Sequence, residues 1–164
     1  MRVYYLFKIN DSFSKLYYNK TYYLYKMLEQ ISLSSKNDFI ISYRLFEQMA
    51  VPYNKTEINS NIYRTFSEDN NYVKTLNKHV LDDGVEKTKL TVYNTYIKIK
   101  TNKNITPFFK VLSKEANVFV CDFNNKDYFW LSKVAPKDLY KMENNSKMSI
   151  WKEDETCGNK YYGA

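Results

Sequence analysis

Acid, base or nucleophilic catalysis needs particular side chains at workable spacing, and this sequence holds few of them. His79 is the single histidine. Any Ser-His-Asp or Cys-His arrangement would have to use it. It lies in Asn77-Lys78-His79-Val80, which carries no nucleophile signature, and it reads as a surface or partly buried structural residue. Cys121 and Cys157 are far apart and form no CxxC pair, so with one histidine they do not make a zinc site or a disulfide framework. Cys121 falls in an apolar run and reads as a small buried hydrophobe. The carboxylate clusters Asp82-Asp83 and Glu153-Asp154-Glu155 are adjacent residues whose side chains point different ways, so they read as solvated charge. Phosphate-binding loops need glycine so that backbone amides can approach the ligand. Gly84, Gly158 and Gly163 are isolated, and neither GxGxxG nor GxxxxGK[ST] is present. The sequence therefore argues against an enzyme and nominates no catalytic residue, no metal and no cofactor.

Binding of another macromolecule is what this elimination leaves, though composition alone makes no case for it. The 164 residues include 17 Tyr and 10 Phe beside 3 Gly and 3 Pro. So many tyrosines cannot all be buried, and exposed ones make good recognition anchors. The formal net charge of +7 admits an acidic partner. The lysines are interleaved with acids, however, and no run of five or six like charges forms a basic arm. The best basic stripe is Lys98-Ile99-Lys100-Thr101-Asn102-Lys103, on a strand and its following loop. A nucleic-acid-binding module using Lys98, Lys100 and Lys103 is thus the alternative to a protein-binding one, against the plainer reading of a solvated sheet face. The N-terminus is too short and too polar for a signal peptide, and no stretch approaches 18 apolar residues. The expected compartment is the cytoplasm, with no membrane contact.

The elements that would position these residues can be read from periodicity. Arg2 to Ile9 is rich in aromatic and β-branched residues and predicts a strand. Asp11 is a candidate N-cap for a helix of about two turns carrying Phe13, Leu16 and Tyr17. Thr21 can cap a second helix, with Leu24, Met27, Leu28 and Ile31 at i, i+3, i+4, i+7. Asp38 to Ala50 predicts a third helix, ended by Pro52. Residues 54–87 are the hardest to read, with a strand expected near Ile58–Phe66 and a short helix near Asn71–Leu81. Lys87–Tyr93 and Tyr96–Thr101 alternate around Asn94-Thr95 and predict a hairpin. Thr106-Pro107 starts a further helix. Asn117–Phe123 is a nearly continuous apolar run and predicts a central strand, followed by a turn and a strand at Tyr128–Leu131. The fold class is α+β, a single domain with a mostly antiparallel sheet and helices packed on it. Residues 1–140 form that domain, and 141–164 read as a mobile C-terminal tail.

Two segments resemble a known family. Val3-Tyr4-Tyr5-Leu6-Phe7-Lys8-Ile9-Asn10-Asp11-Ser12-Phe13-Ser14-Lys15-Leu16-Tyr17-Tyr18 is similar to the strand-then-helix start of SirA, the sporulation inhibitor of replication. Val118-Phe119-Val120-Cys121-Asp122-Phe123-Asn124-Asn125-Lys126-Asp127-Tyr128-Phe129-Trp130-Leu131 resembles that family's C-terminal β-hairpin. Between them the match is one of pattern, including a proline after the third helix at Pro52. The expected state is a monomer, and the resemblance implies binding to the N-terminal domain of DnaA, the bacterial replication initiator. Initiation is thereby blocked when the cell commits to sporulation. In the family a Phe and a Tyr four residues apart on the first helix contact DnaA, and these positions match Phe13 and Tyr17. Lys15 and Tyr18 are then expected to flank the patch, and the third helix around Arg44 to Gln48 offers a second contact surface. Spacing agrees to this extent, that residues four apart share a helix face. Core packing of the pair on the sheet is the other reading.

Overall fold

The computed structural model of the protein describes residues 1–35 and 38–134. Seven strands form one antiparallel sheet in the order β2-β3-β4-β5-β1-β6-β7. These are β1 (Arg2–Lys8), β2 (Tyr72–Thr75), β3 (Lys78–Asp82), β4 (Lys87–Val92), β5 (Ile97–Thr101), β6 (Val118–Asp122) and β7 (Asp127–Trp130). The helices are α1 (Asp11–Tyr17), α2 (Thr21–Leu33), α3 (Phe39–Met49), α4 (Lys55–Phe66) and α5 (Phe108–Leu112), and a short 3-10 turn (Leu131–Lys133) follows β7. The architecture is α+β, as the residue pattern implies.

Strand alternation sends side chains to two cores. Tyr4, Leu6, Leu90, Val92, Ile97, Ile99, Val118, Val120 and Phe129 face α4 and α5. Phe7, Phe119, Cys121 and Trp130 face α2 and the end of α3, against Leu24, Tyr25, Leu28 and Met49. Beneath α2 and α3 the sheet is covered on both sides, and every residue of β6 is buried. That is why β6 reads as an unbroken apolar run. β4 and β5 instead alternate buried and exposed residues, because helices cover only one of their faces. β6 pairs on both sides, with β1 and β7, and β1 itself lies between β5 and β6.

Residues 54–87 differ from the expectation. Lys55–Phe66 is a helix, not a strand, because Ile58, Ile62 and Phe66 recur every four residues and pack inward. Asn54 caps it, accepting from the Glu57 backbone N at 3.2 Å. Tyr72–Thr75 and Lys78–Asp82 are a hairpin, not a helix, turning at Leu76-Asn77 with Leu76 at φ 51°. Two caps also move. Asn10, not Asp11, caps α1. Thr21 does not cap α2; its hydroxyl is buried with no hydrogen-bond partner. The reading of 141–164 as a tail lies outside the described residues. No helix among the described residues is long and apolar enough to cross a membrane.

Candidate functional site

The short helix α1 follows β1 at once, and its position is set by hydrogen bonds to two other elements. The Ile9 backbone N donates to the Asn117 carbonyl at 2.9 Å, and the Asn10 N donates to the Met49 carbonyl at 2.8 Å. The Asn10 side chain then works at both ends. Its Oδ1 accepts from the Phe13 N at 2.9 Å, closing the first turn, and its Nδ2 donates to the Gln48 carbonyl. On the other side Asn117 Nδ2 donates to Asp11 Oδ1 at 2.7 Å. A helix of 7 residues has little stability of its own, so these ties hold it in place.

Ser14 is the buried residue of α1, and its small side chain lets the helix lie close to the chain beneath. Phe13 and Tyr17 sit half-buried at the margin of the core shared with α2. Their rings stack with centroids 5.7 Å apart and planes 22° from parallel. Leu16, one of the expected apolar positions, points to solvent and is 59% exposed. Lys15 is exposed as well. Tyr17 also forms one wall of a shallow groove against α2, with Lys20, Tyr23, Lys26, Met27 and Gln30. Sequence reasoning assigned Met27 to the inner face of α2 and passed over Tyr23. Tyr23, Met27 and Gln30 at i, i+4, i+7 were the available signal that a second stripe faces α1.

Tyr18 leaves the helix toward the sheet. It stacks on Trp130, with centroids 6.1 Å apart, and Trp130 Nε1 donates to its carbonyl at 3.1 Å. Lys133 Nζ lies 4.4 Å from the Tyr18 ring centroid, a cation–π contact. Arg44 and Gln48 are both exposed on α3, one turn apart. The Asn10–Gln48 bond joins that helix to the root of α1, so the two expected contact surfaces are neighbours. The cations near α1 outnumber its anions. Lys15 and Lys20 form no ion pair among the described residues, while Lys26 is matched by Glu29 at 3.0 Å. The carboxyl of Glu29 is held below its usual range by the Tyr25 hydroxyl and then by Lys26. An aromatic patch with a basic rim suits a partner face that is apolar at its centre and acidic at its edge.

The chemistry-bearing residues lie elsewhere and are engaged structurally. His79 is fully buried. Its Nε2 donates to Asn59 Oδ1 at 2.8 Å, and its Nδ1 accepts from the Tyr72 hydroxyl at 2.6 Å. Asn59 Nδ2 in turn donates to Asn77 Oδ1 at 3.1 Å. Oδ1 of Asn59 can only accept, so the network fixes the neutral Nε2–H form. Burial, and then Lys74, push the imidazole pKa down to about 4. Cys121 is buried, and burial raises its thiol pKa. No group of three potential metal ligands occurs among the described residues. Lys103 pairs with Glu86 at 3.2 Å, so it does not extend the basic stripe of β5.

The family model for the sporulation inhibitor of replication protein SirA matches residues 2–135. The chain belongs to the SirA family. SirA proteins are a family of regulatory inhibitors, so the protein takes its place in the control of replication. The SirA match runs through both aromatic cores and spans α1, α3 and the β6–β7 hairpin. No curated protein matches the chain.

Proposed function

We propose that this protein inhibits the initiation of DNA replication by binding the N-terminal domain of DnaA through α1. Phe13 and Tyr17 form the apolar centre of the contact, and Lys15 and Tyr18 flank it. Arg44 and Gln48 extend it onto α3. Occupying that domain blocks DnaA self-assembly or the docking of helper proteins, and this steric action needs no catalytic residue and no cofactor. The working unit is residues 1–140, acting as a cytoplasmic monomer.

The observation that carries this reading is the stacked, half-exposed Phe13–Tyr17 pair on a clamped helix, in a chain of the SirA family. Two rings already aligned on a fixed backbone lose little entropy when a partner covers them. Titration calorimetry with the isolated DnaA N-terminal domain tests it, with a one-to-one complex expected. The Phe13→Ala, Tyr17→Ala double variant is expected to weaken binding by more than ~2 kcal/mol, the range of an interface hot spot. Unchanged affinity in a folded double variant would place the contact elsewhere.

A further inference from the structure

The two halves of the sheet are covered differently on the face that carries α2 and α3. Over β1, β6 and β7 this face is packed against those helices. Over β2 to β5 no helix among the described residues covers it. Between the two halves lies a groove of about 700 Å³. Its walls are aromatic: Tyr5 and Phe7 from β1, Phe46 from α3, Tyr96 from the β4–β5 turn and Phe123 after β6. Tyr5 and Tyr96 lie 5.7 Å apart, and Tyr96 leans on Tyr93 at 4.7 Å. Lys98 and Lys100 line the same groove, and among the described residues no carboxylate does.

The register carries the positive charge outward from there. Lys98 is opposite Tyr5 on one side and Thr91 on the other, and Lys100 is opposite Val3 and Lys89. Lys78 follows, opposite Thr91. Residues opposite each other in an antiparallel pair share a face, so Lys78, Lys89, Lys98 and Lys100 form one cationic field. Lys87 on the same face is matched by Asp82 at 3.5 Å. The other four form no ion pair among the described residues. Like charges directly opposite one another, as at Lys89 and Lys100, destabilise a sheet. Here no ion pair among the described residues offsets that repulsion. Lys98 Nζ instead lies 5.4 Å from the Tyr5 ring centroid, at the mouth of the groove.

We propose that this groove and the lysine field leading out of it bind single-stranded nucleic acid. A base enters among Tyr5, Tyr96 and Phe123, and the backbone phosphates lie along Lys98, Lys100 and Lys89. The alternation of flat aromatic bodies with regular negative charges matches both features at once. A ligand with one anionic group would leave Lys89 and Lys78 without a role. An acidic peptide would leave the aromatic groove without one. None of the groove's lining residues belongs to the α1 surface, so the two sites can be tested separately.

The test is fluorescence anisotropy of the full chain with a labelled oligothymidylate about 12 nucleotides long, within the usual footprint of a single-strand binder. Saturable binding that weakens steeply with salt is expected. Lys98→Gln, Lys100→Gln together should reduce affinity at low salt at least ~10-fold and flatten the slope of log K against log[salt] by about 1.4. Lys89→Gln, at an exposed strand position, should flatten it by about 0.7 on its own. Tyr96→Leu should weaken binding ~5-fold and leave the slope unchanged, since stacking releases no counterion. The Phe13→Ala, Tyr17→Ala variant should bind the oligonucleotide as the parent does. A flat titration at low salt would overturn the proposal. So would lysine variants of unchanged affinity, a duplex binding as tightly as the single strand, or polyglutamate competing as well as the oligonucleotide.

Discussion

Asn10 donates from its side-chain amide to the backbone carbonyl of Gln48, and with the bond from its backbone N to the Met49 carbonyl this contact ties the first turn of α1 to the last turn of α3. The same side chain caps α1 by accepting from the Phe13 N. Cap and tie are separable by substitution. Asn10→Asp keeps an acceptor for Phe13 but cannot donate to Gln48, whereas Asn10→Ala loses both. Asn10→Ala is expected to lower stability by about 1–2 kcal/mol in urea denaturation, as lost caps do. In calorimetry with the DnaA domain, Asn10→Asp should lose nearly as much affinity as Asn10→Ala. That outcome would show that the placement of α1, more than its helicity, sets the strength of binding.

Lys15 stands exposed beside the aromatic pair. Charges at the rim of a contact govern encounter more than the lifetime of the complex. Lys15→Glu is therefore expected to slow association with the DnaA domain by about 5-fold at low ionic strength, and by much less at high salt. Dissociation should barely change. Stopped-flow fluorescence at two salt concentrations separates the two effects.

The buried His79 makes stability depend on pH. Its folded pKa, about 4, lies below the ordinary value of 6.5. Between those values the unfolded chain binds a proton that the folded protein refuses. Stability is thus intact above pH 6.5 and falls as pH drops toward 4, by at most about 3 kcal/mol from this group. Urea midpoints at pH 7.5 and 4.5 should show the loss. His79→Gln, which keeps a polar side chain but cannot titrate, should be less stable at neutral pH and lose less between the two conditions.

Leu76 offers a gain. It turns the β2–β3 hairpin at φ 51°, a conformation that costs a residue with a Cβ about 1–2 kcal/mol. Its side chain is 85% exposed, so little packing is at stake. Leu76→Gly, or Leu76→Asn, is expected to raise the thermal midpoint by a few degrees, corresponding to roughly 1 kcal/mol. Calorimetric melting of the single variants checks it.

That hairpin also shows where the sequence is hard to read. Its two-residue turn is Leu76-Asn77, with a leucine at the positive-φ position where glycine is the usual signal, so Tyr72–Asp82 is punctuated more weakly than Lys87–Thr101 around Asn94-Thr95. In α4 the signal existed but was sparse. Ile58, Ile62 and Phe66 are single apolar residues among polar ones, and only the four-residue interval marks a helix. The strands β4, β5 and β6 were readable because burial on one face or two writes itself into alternation or its absence. At the candidate site, spacing placed Phe13 and Tyr17 on one face of a helix. It could not tell which neighbours point outward. Leu16 is exposed and Ser14 buried because the helix sits close to the backbone beneath it, a tertiary fact. Tyr18 is held by Trp130, 112 residues away, and no local pattern encodes such a pairing.

The place of β1 has a consequence for the order of events in time. β1 is an interior strand of the sheet, and both of its partners, Ile97–Thr101 and Val118–Asp122, are made about a hundred residues later. Until they emerge, Val3-Tyr4-Tyr5-Leu6-Phe7 has neither edge satisfied. Such distant pairing makes folding slow and leaves an aromatic strand open to other nascent chains. Synthesis is therefore the stage at which the chain is most open to mispairing, until β5 and β6 close on either side of β1.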